Sequence, residues 1–265
     1  MTVLIKYPHQ TKKLNEDFFK RKDQELTNLN WTKWAGWFDT DGFFITEEYK
    51  KGKFSKKTGL KLKDRQPVKL FSKTFEGSLC YSKHKTITPE PYRKEYIAKE
   101  YTTKIHGPKA IWFTKNVYPY LIKEEKKDYA ARLLGYRPAS KNFTTWTRGE
   151  ITHYLATATE GDGHIRCGHY TKEASNIDVT IASSDVQYLS DIRYLLEKKL
   201  AVTGTLSEHS TYETQEGIKT KYTLAICCSQ RNPQNINFFQ NLVKDNVMTL
   251  DRKKQKVEAF VSYIS

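Results

Sequence analysis

The clearest periodicity lies between Asp185 and Leu200, where Val186, Leu189, Ile192, Leu195, Leu196 and Leu200 recur at helical spacing. Upstream, polar and apolar residues alternate over His164 to Lys172 and Asn176 to Ser183, the pattern of strands with one buried face. Downstream, Gly204 to Glu213 and Ile218 to Cys228 predict two more strands around a turn containing Glu216-Gly217. Asn235 to Val243 and Asp251 to Ile264 return to helical spacing. With a helix that stops at Gly163, the second half predicts the order α-β-β-α-β-β-α-α.

The first half is less regular. Phe43 to Tyr49 and Val68 to Ser72 suit strands, and the lysine-rich KKGKFSKKTGLKLKD between them suits a basic loop or strand extension. TITPEPYRKE suits a loop. The polar stretch RPASKNFTTWTRG contains Pro138, and Thr147 is placed to cap the next helix. The expected division is an N-terminal half, 1–136, a linker, 137–148, and a C-terminal half, 149–265.

The two halves repeat a motif. WAGWFDTDGFFI and LATATEGDGHI each run from apolar through small residues to an acid, one spacer and Asp-Gly. Asp41-Gly42 and Asp162-Gly163 stand 121 positions apart. YLIKEEKKDYAARLL and LDRKKQKVEAFVSYI close the halves, and matching Leu121 to Leu250 brings Ala130 onto Ala259. Each motif reads as a helix ending at a glycine suited to the left-handed conformation. Small residues at Ala35, Gly36, Ala156, Thr157 and Ala158 would let two such helices approach closely, with Trp34, Trp37 and Phe38 as apolar anchors. An aspartate at the negative end of a helix costs a few tenths to about 1 kcal/mol, which a bound cation would offset.

Residues 34–42 and 155–163 resemble the nine-residue motif of the LAGLIDADG homing endonucleases in their single-chain form. The likeness extends over roughly residues 25–265. It implies an α+β fold: a pseudo-symmetric αββαββα repeat with two antiparallel, saddle-shaped sheets and the motif helices paired. It also implies a monomer that hydrolyses phosphodiester bonds in double-stranded DNA, with Asp41 and Asp162 as catalytic metal ligands. Two or more Mg²⁺ ions are implied, with Ca²⁺ or Mn²⁺ as candidates to replace them. Asp39 and Glu160, about 200° away around the helix, read as structural.

Family members usually place a lysine near each active centre. That position falls on Lys253 in the second half, with Lys254 as the alternative. In the first half it falls on Glu124, with Lys123 or Lys126 able to reach in. A true Glu124 there implies unequal cutting of the two strands. On the expected sheets, Ile45, Glu47, Tyr49 and Lys69 face DNA from the first half. His164, Arg166, Tyr170, Lys172, Asp178, Thr180, Lys219 and Lys221 do so from the second. The alternative on the same fold is an intron RNA maturase or a non-cleaving DNA-binding protein.

Charge agrees with a polyanionic partner. The 265 residues carry 45 Lys and Arg against 30 Asp and Glu, a formal +15 spread along the chain. Nucleic acid is the first candidate and an anionic membrane the second. No apolar run approaches the ~18 residues of a membrane span, so neither membrane spanning nor secretion is expected. Cys80, Cys167, Cys227 and Cys228 form no C-x-x-C pair and read as buried free thiols in a reducing intracellular compartment.

Overall fold

The computed structural model describes residues 9–87, 95–169, 175–214, 217–229, 233–244 and 247–264. Over those residues the chain forms two compact units. One comprises Met1–Trp31, Asp41–Pro119 and Glu125–Ala139, the other Thr32–Thr40, Tyr120–Glu124 and Ser140–Ser265. Division by contact therefore differs from division by repeat, because the first motif helix groups with the second unit. Each unit is built on a four-stranded antiparallel sheet.

In the first unit, β1 (Gly42–Lys50), β2 (Lys53–Leu62), β3 (Ser78–Ile87) and β4 (Glu95–His106) take the order β1-β2-β4-β3. Phe44, Thr58, Leu60, Leu62, Thr103 and Ile105 are buried on one sheet face. Against them lie α3 (Arg65–Phe75) and α4 (Pro108–Val117), with α1 (His9–Glu25) against α4. Trp31, Phe71, Phe75, Trp112 and Phe113 make a continuous aromatic cluster with centroids 4.7–6.3 Å apart.

Two first-half expectations are corrected. Val68 to Ser72 is helix: Val68, Phe71 and Phe75 form a buried stripe at helical spacing in α3, leaving Lys69 on its exposed face. A five-residue stretch cannot separate a period of 2 from one of 3.6. The lysine-rich segment contains a full strand, because Thr58, Leu60 and Leu62 alternate inward while Lys53, Lys57 and Lys61 alternate outward. Gly59 is required there, since an added Cβ would lie 2.9 Å from Lys104 Cα on the neighbouring strand. The TITPEPYRKE segment lies mostly outside the described residues; Thr86-Ile87 end β3 and Glu95 opens β4.

The second unit follows the predicted order closely. β5 (Gly163–His169), β6 (Ser175–Ser183), β7 (Thr205–Thr214) and β8 (Gly217–Ser229) take the order β5-β6-β8-β7, the same strand order as the first sheet. Ile165, Ile177, Val179, Ile181, Leu224, Ile226 and Cys228 are buried on one face. Packed there are α7 (Val186–Leu195), extended by a π-helical turn over Leu196–Leu200, and α9 (Asp251–Ile264). The helix α8 (Ile236–Val243) packs on α9 and on α6 (Arg148–Gly161). Thr147 caps α6 in a full capping box with Glu150, worth ~1 kcal/mol. Two sheets of identical strand order, each preceded by a motif helix, make this a pseudo-symmetric two-repeat α+β fold.

Candidate active site

The motif helices α2 (Trp31–Thr40) and α6 set the geometry. Trp34, Trp37 and Phe38 are buried anchors as expected. A Cβ at Gly36 would fall well inside van der Waals contact with Thr157 Oγ1 and the Tyr154 carbonyl oxygen, and 3.0 Å from Ala158 N. Residue 36 is therefore where α2 and α6 pack backbone to backbone. Thr157 is accommodated because its hydroxyl bonds the carbonyls of His153 and Tyr154, at 3.0 Å each.

The terminating glycines do not behave as expected. Neither Gly42 nor Gly163 adopts positive φ. Gly163 instead serves close approach, with Thr159 Cα 2.6 Å from where its Cβ would be. Each motif helix thus passes straight into a strand, β1 or β5, without a left-handed cap.

The first acids are buried clamps. Asp39 accepts from Ile122 N–H (2.8 Å), Lys123 N–H (3.2 Å) and the Tyr154 hydroxyl (2.5 Å). Glu160 accepts from Leu250 N–H (2.7 Å) and Thr249 N–H. Each therefore binds the backbone just ahead of a closing helix, α5 (Glu124–Leu134) or α9. Burial pushes the Asp39 carboxyl up to about 6 and Glu160 up to about 7, against the opposing pull of those amides.

These clamps also correct the alignment of the repeats. Ile122-Lys123 occupies the place of Thr249-Leu250, so Glu124 matches Asp251 and Lys126 matches Lys253. The buried positions agree: Ala130 falls on Val257 and Leu133 on Phe260, all buried, whereas Ala259 is exposed. Lys126 donates to the Gly42 carbonyl at 2.6 Å, and Lys253 donates to the Gly163 carbonyl at 2.7 Å. Glu124 does not replace a lysine; the displacement of two residues was an error of register.

Lys253 is only 4% exposed, and its ammonium also donates to the carbonyls of Thr159 and Glu160, at 2.7 Å each. It saturates the negative end of α6. The cation expected to offset the helix dipole is therefore this side chain, and dipole compensation gives no separate argument for a metal.

Asp162 ends α6 with its side chain exposed. It lines an open depression of about 560 Å³ together with Lys123, Ser183, Ser184, Ser210, Tyr212 and Lys221. Lys123 stands with its Nζ 5.0 Å from the centroid of the buried Tyr188 ring. A bulge between Glu208 and Ser210 switches β7 in phase, pairing Ser210 with Lys221 and Tyr212 with Lys219 on the outward face. Lys123 and Lys221, unrelated in the sequence reading, are thus brought to Asp162. In the first unit Asp41 is half-buried directly before β1, and its carbonyl accepts from Lys61 N–H at 3.3 Å.

The expected reading faces are placed as follows. His164 and Arg166 are exposed opposite buried Ile165, and Asp178 and Thr180 lie opposite buried Val179. Arg166 and Asp178 are cross-strand partners in a 3.5 Å ion pair. Ile45, Glu47 and Tyr49 lie outward of Phe44, with a register shift at Tyr49. Lys69, on α3, is on no strand. Tyr170 and Lys172 lie outside the described residues. Sequence reasoning missed Lys57, Lys61, Lys104 and His106, which share the outward face of the first sheet; the alternation of Thr58, Leu60 and Leu62 was the signal available. Of the cysteines, all free, Cys228 is buried but Cys80 is exposed. Cys227 faces outward beside Asp178, and burial with that neighbour pushes its thiol up to about 12.

Among the described residues no three His, Cys, Asp or Glu side chains cluster as metal ligands. No helix among them is long and apolar enough to cross a membrane.

The repeated motif, the matched sheets and the clamped closing helices define a pseudo-symmetric two-repeat α+β architecture. No protein-family model and no curated protein matches the chain by sequence. Among solved structures it is similar to the LAGLIDADG meganuclease I-AabMI bound to uncleaved DNA, at 10% identity and TM-score 0.49, over 88% of this chain and 90% of that one. It is similar to the homing endonuclease I-WcaI bound to its DNA recognition sequence, at 13% identity and TM-score 0.42, over 86% and 85%. It is also similar to full-length DUF199/WhiA from Thermatoga maritima, at 11% identity and TM-score 0.42, over 92% and 66%.

Proposed function

We propose that this protein is a divalent-metal-dependent endonuclease that cuts both strands of duplex DNA at a long recognition site. The observation that carries the reading is Asp162. The second acid of a duplicated motif stands exposed at a helix end, in a polar depression with two lysines and three serines.

The residues fit Mg²⁺. A solvent-facing carboxylate is a hard oxygen donor, and Mg²⁺ is commonly held by one or two carboxylates with water and phosphate oxygens completing the shell. Asp162 would hold the ion in the second repeat, and Asp41, at the same motif position, in the first. When bound, the metal lowers the pKa of an attacking water and neutralises charge on the leaving oxygen. Lys123 and Lys221 draw the phosphate into the depression and offset the negative charge that grows on it; loss of one such group typically costs ~10²–10³ in rate. Lys253 and Glu160 act on the frame, fixing the end of α6 from which Asp162 projects.

The outward sheet faces supply the duplex contacts. Lys57, Lys61, Lys104, Lys219 and Lys221 suit phosphate, and His164, Arg166, Asp178 and Thr180 suit base edges. The test is selection of cleaved duplexes from a random library with Mg²⁺. Asp41→Asn and Asp162→Asn should each lower cleavage of the recovered duplex by at least ~10³ while retaining its binding. Tight binding with no cleavage by the unmodified protein would overturn the reading and favour a non-cleaving DNA-binding protein; preference for structured RNA would favour a maturase.

A further inference from the structure

The depression at Asp162 holds a lysine that does not come from its own repeat. Lys123 belongs to the closing segment of the first repeat. Asp39 anchors it there, accepting its backbone N–H and that of Ile122 at 3.2 and 2.8 Å. Its ammonium then stands 5.0 Å from the ring centroid of Tyr188, which is 1% exposed and fixed at the start of α7 by its N–H bond to Asp185 (3.0 Å). Tyr154 links the two supports, donating to Asp39 at 2.5 Å and lying 3.5 Å from the Tyr188 hydroxyl.

Among the described residues this arrangement occurs once. The second-repeat counterpart of Lys123 is Leu250, which donates its N–H to Glu160 as Lys123 does to Asp39, but is fully buried and carries no charge. The counterpart of Tyr188, three residues after the N-cap acid, is Pro67 after Asp64. Both halves of the lysine–ring pair are thus missing together from the symmetry-related positions.

We infer that Tyr188 is a positioning residue that holds the Lys123 ammonium over the reacting phosphate beside Asp162, so that one DNA strand is cut beside a lysine–ring pair that the corresponding positions of the other repeat do not carry. The ring's negative face attracts the ammonium, while the open side of the depression leaves its protons free to meet phosphate oxygens. This rests on the endonuclease reading and assigns the strand asymmetry to a particular pair.

The test uses the full chain and the duplex recovered from the random library, labelled separately on each strand. Under single-turnover conditions the unmodified protein should cut one strand faster. Lys123→Met should slow that strand ~10²–10³-fold, as for loss of a transition-state cation, and leave the other within about threefold. Pentafluorophenylalanine at position 188 keeps the ring's shape and removes its negative face, so it should slow the same strand selectively, while Tyr188→Phe should restore the rate. Equal slowing of both strands by Lys123→Met, or an unchanged strand ratio with the fluorinated ring, would overturn the inference. Binding measured with a chelator, where nothing is cut, gives a second readout. Lys123→Met should reduce the slope of log affinity against log salt by about 0.9, as for one lost phosphate contact. An unchanged slope removes Lys123 from the phosphate even if the protein proves not to be a nuclease. A reduced slope without cleavage by the unmodified protein would place the failure in the nuclease reading.

Discussion

Lys253→Met separates a structural lysine from a catalytic one. The substitution keeps most of the stem and removes an ammonium that donates to three carbonyls at 2.7 Å each. At 4% exposure, water cannot readily take over those bonds. Each buried acceptor left without its donor costs ~1–1.5 kcal/mol, and the uncompensated helix end adds ~0.5–1 kcal/mol. The expected loss is therefore ~4 kcal/mol, in the range for breaking a buried charged contact. For a chain of this size that corresponds to a fall in melting temperature of roughly 10 °C. Urea titration followed by tryptophan fluorescence measures it, and cleavage at a temperature where the variant is folded should be reduced by less than ~10-fold. Lys126→Met provides the contrast, since Lys126 is only half-buried and donates to the Gly42 carbonyl at 2.6 Å, and its loss should cost less, ~1–2 kcal/mol. A Lys253→Met variant as stable as the parent but unable to cleave would refute the structural assignment and return Lys253 to the chemistry.

Further expectations follow from the same contacts. Gly36→Ala should destabilise by at least ~2–3 kcal/mol, because its Cβ meets backbone as well as Thr157 Oγ1; adding Thr157→Ala should recover only part, and a parental melting temperature for Gly36→Ala would deny the close approach. The raised carboxyls of Asp39 (about 6) and Glu160 (about 7) mean that the folded state holds protons the unfolded state releases. Their contribution is therefore most favourable below about pH 4 and declines as pH rises through about 6 and 7, by up to ~3 kcal/mol each. Asp39→Asn and Glu160→Gln should flatten that decline in melting temperature between pH 5 and 8, and an undiminished slope in both would count against it. Lys57→Met, Lys61→Met and Lys104→Met should each lower the salt dependence of DNA binding by about 0.9, whereas Lys69→Met, on a helix, should leave it unchanged.

What the sequence made legible tracks how far each pattern runs. The sixteen residues from Asp185 to Leu200 show enough turns to declare a helix, and the second half was read almost element by element. Val68 to Ser72 shows too few, so α3 passed for a strand. β2 was hidden by composition: a strand with one solvated face can carry Lys53, Lys57 and Lys61 outward and still bury Thr58, Leu60 and Leu62. The site divided in the same way. Asp41 and Asp162 stood out because the motif repeats, whereas the approach of Lys123 and Lys221 to Asp162 depends on a β-bulge and on a segment donated by the other repeat. Neither leaves a periodic trace.

The register error has a physical source that also explains the asymmetry of the site. Motif and helix-cap residues correspond at one constant separation, Asp41 with Asp162 and Asp64 with Asp185, but the closing helices correspond at a separation six residues longer, Glu124 with Asp251. The extra length enters after β8, because the last strands still correspond at the constant separation: Leu60 pairs with Thr103 in the first sheet and Ile181 with Leu224 in the second. A single offset cannot align both ends of such a repeat. The buried clamps can, because a carboxylate that must meet two amide protons leaves no slack in register. Asp39 and Glu160 therefore fix the true correspondence, and with it the conclusion that the paired lysines, Lys126 and Lys253, are the symmetric framework. Lys123 stands outside this symmetric pair, since its counterpart in the second repeat is the uncharged Leu250.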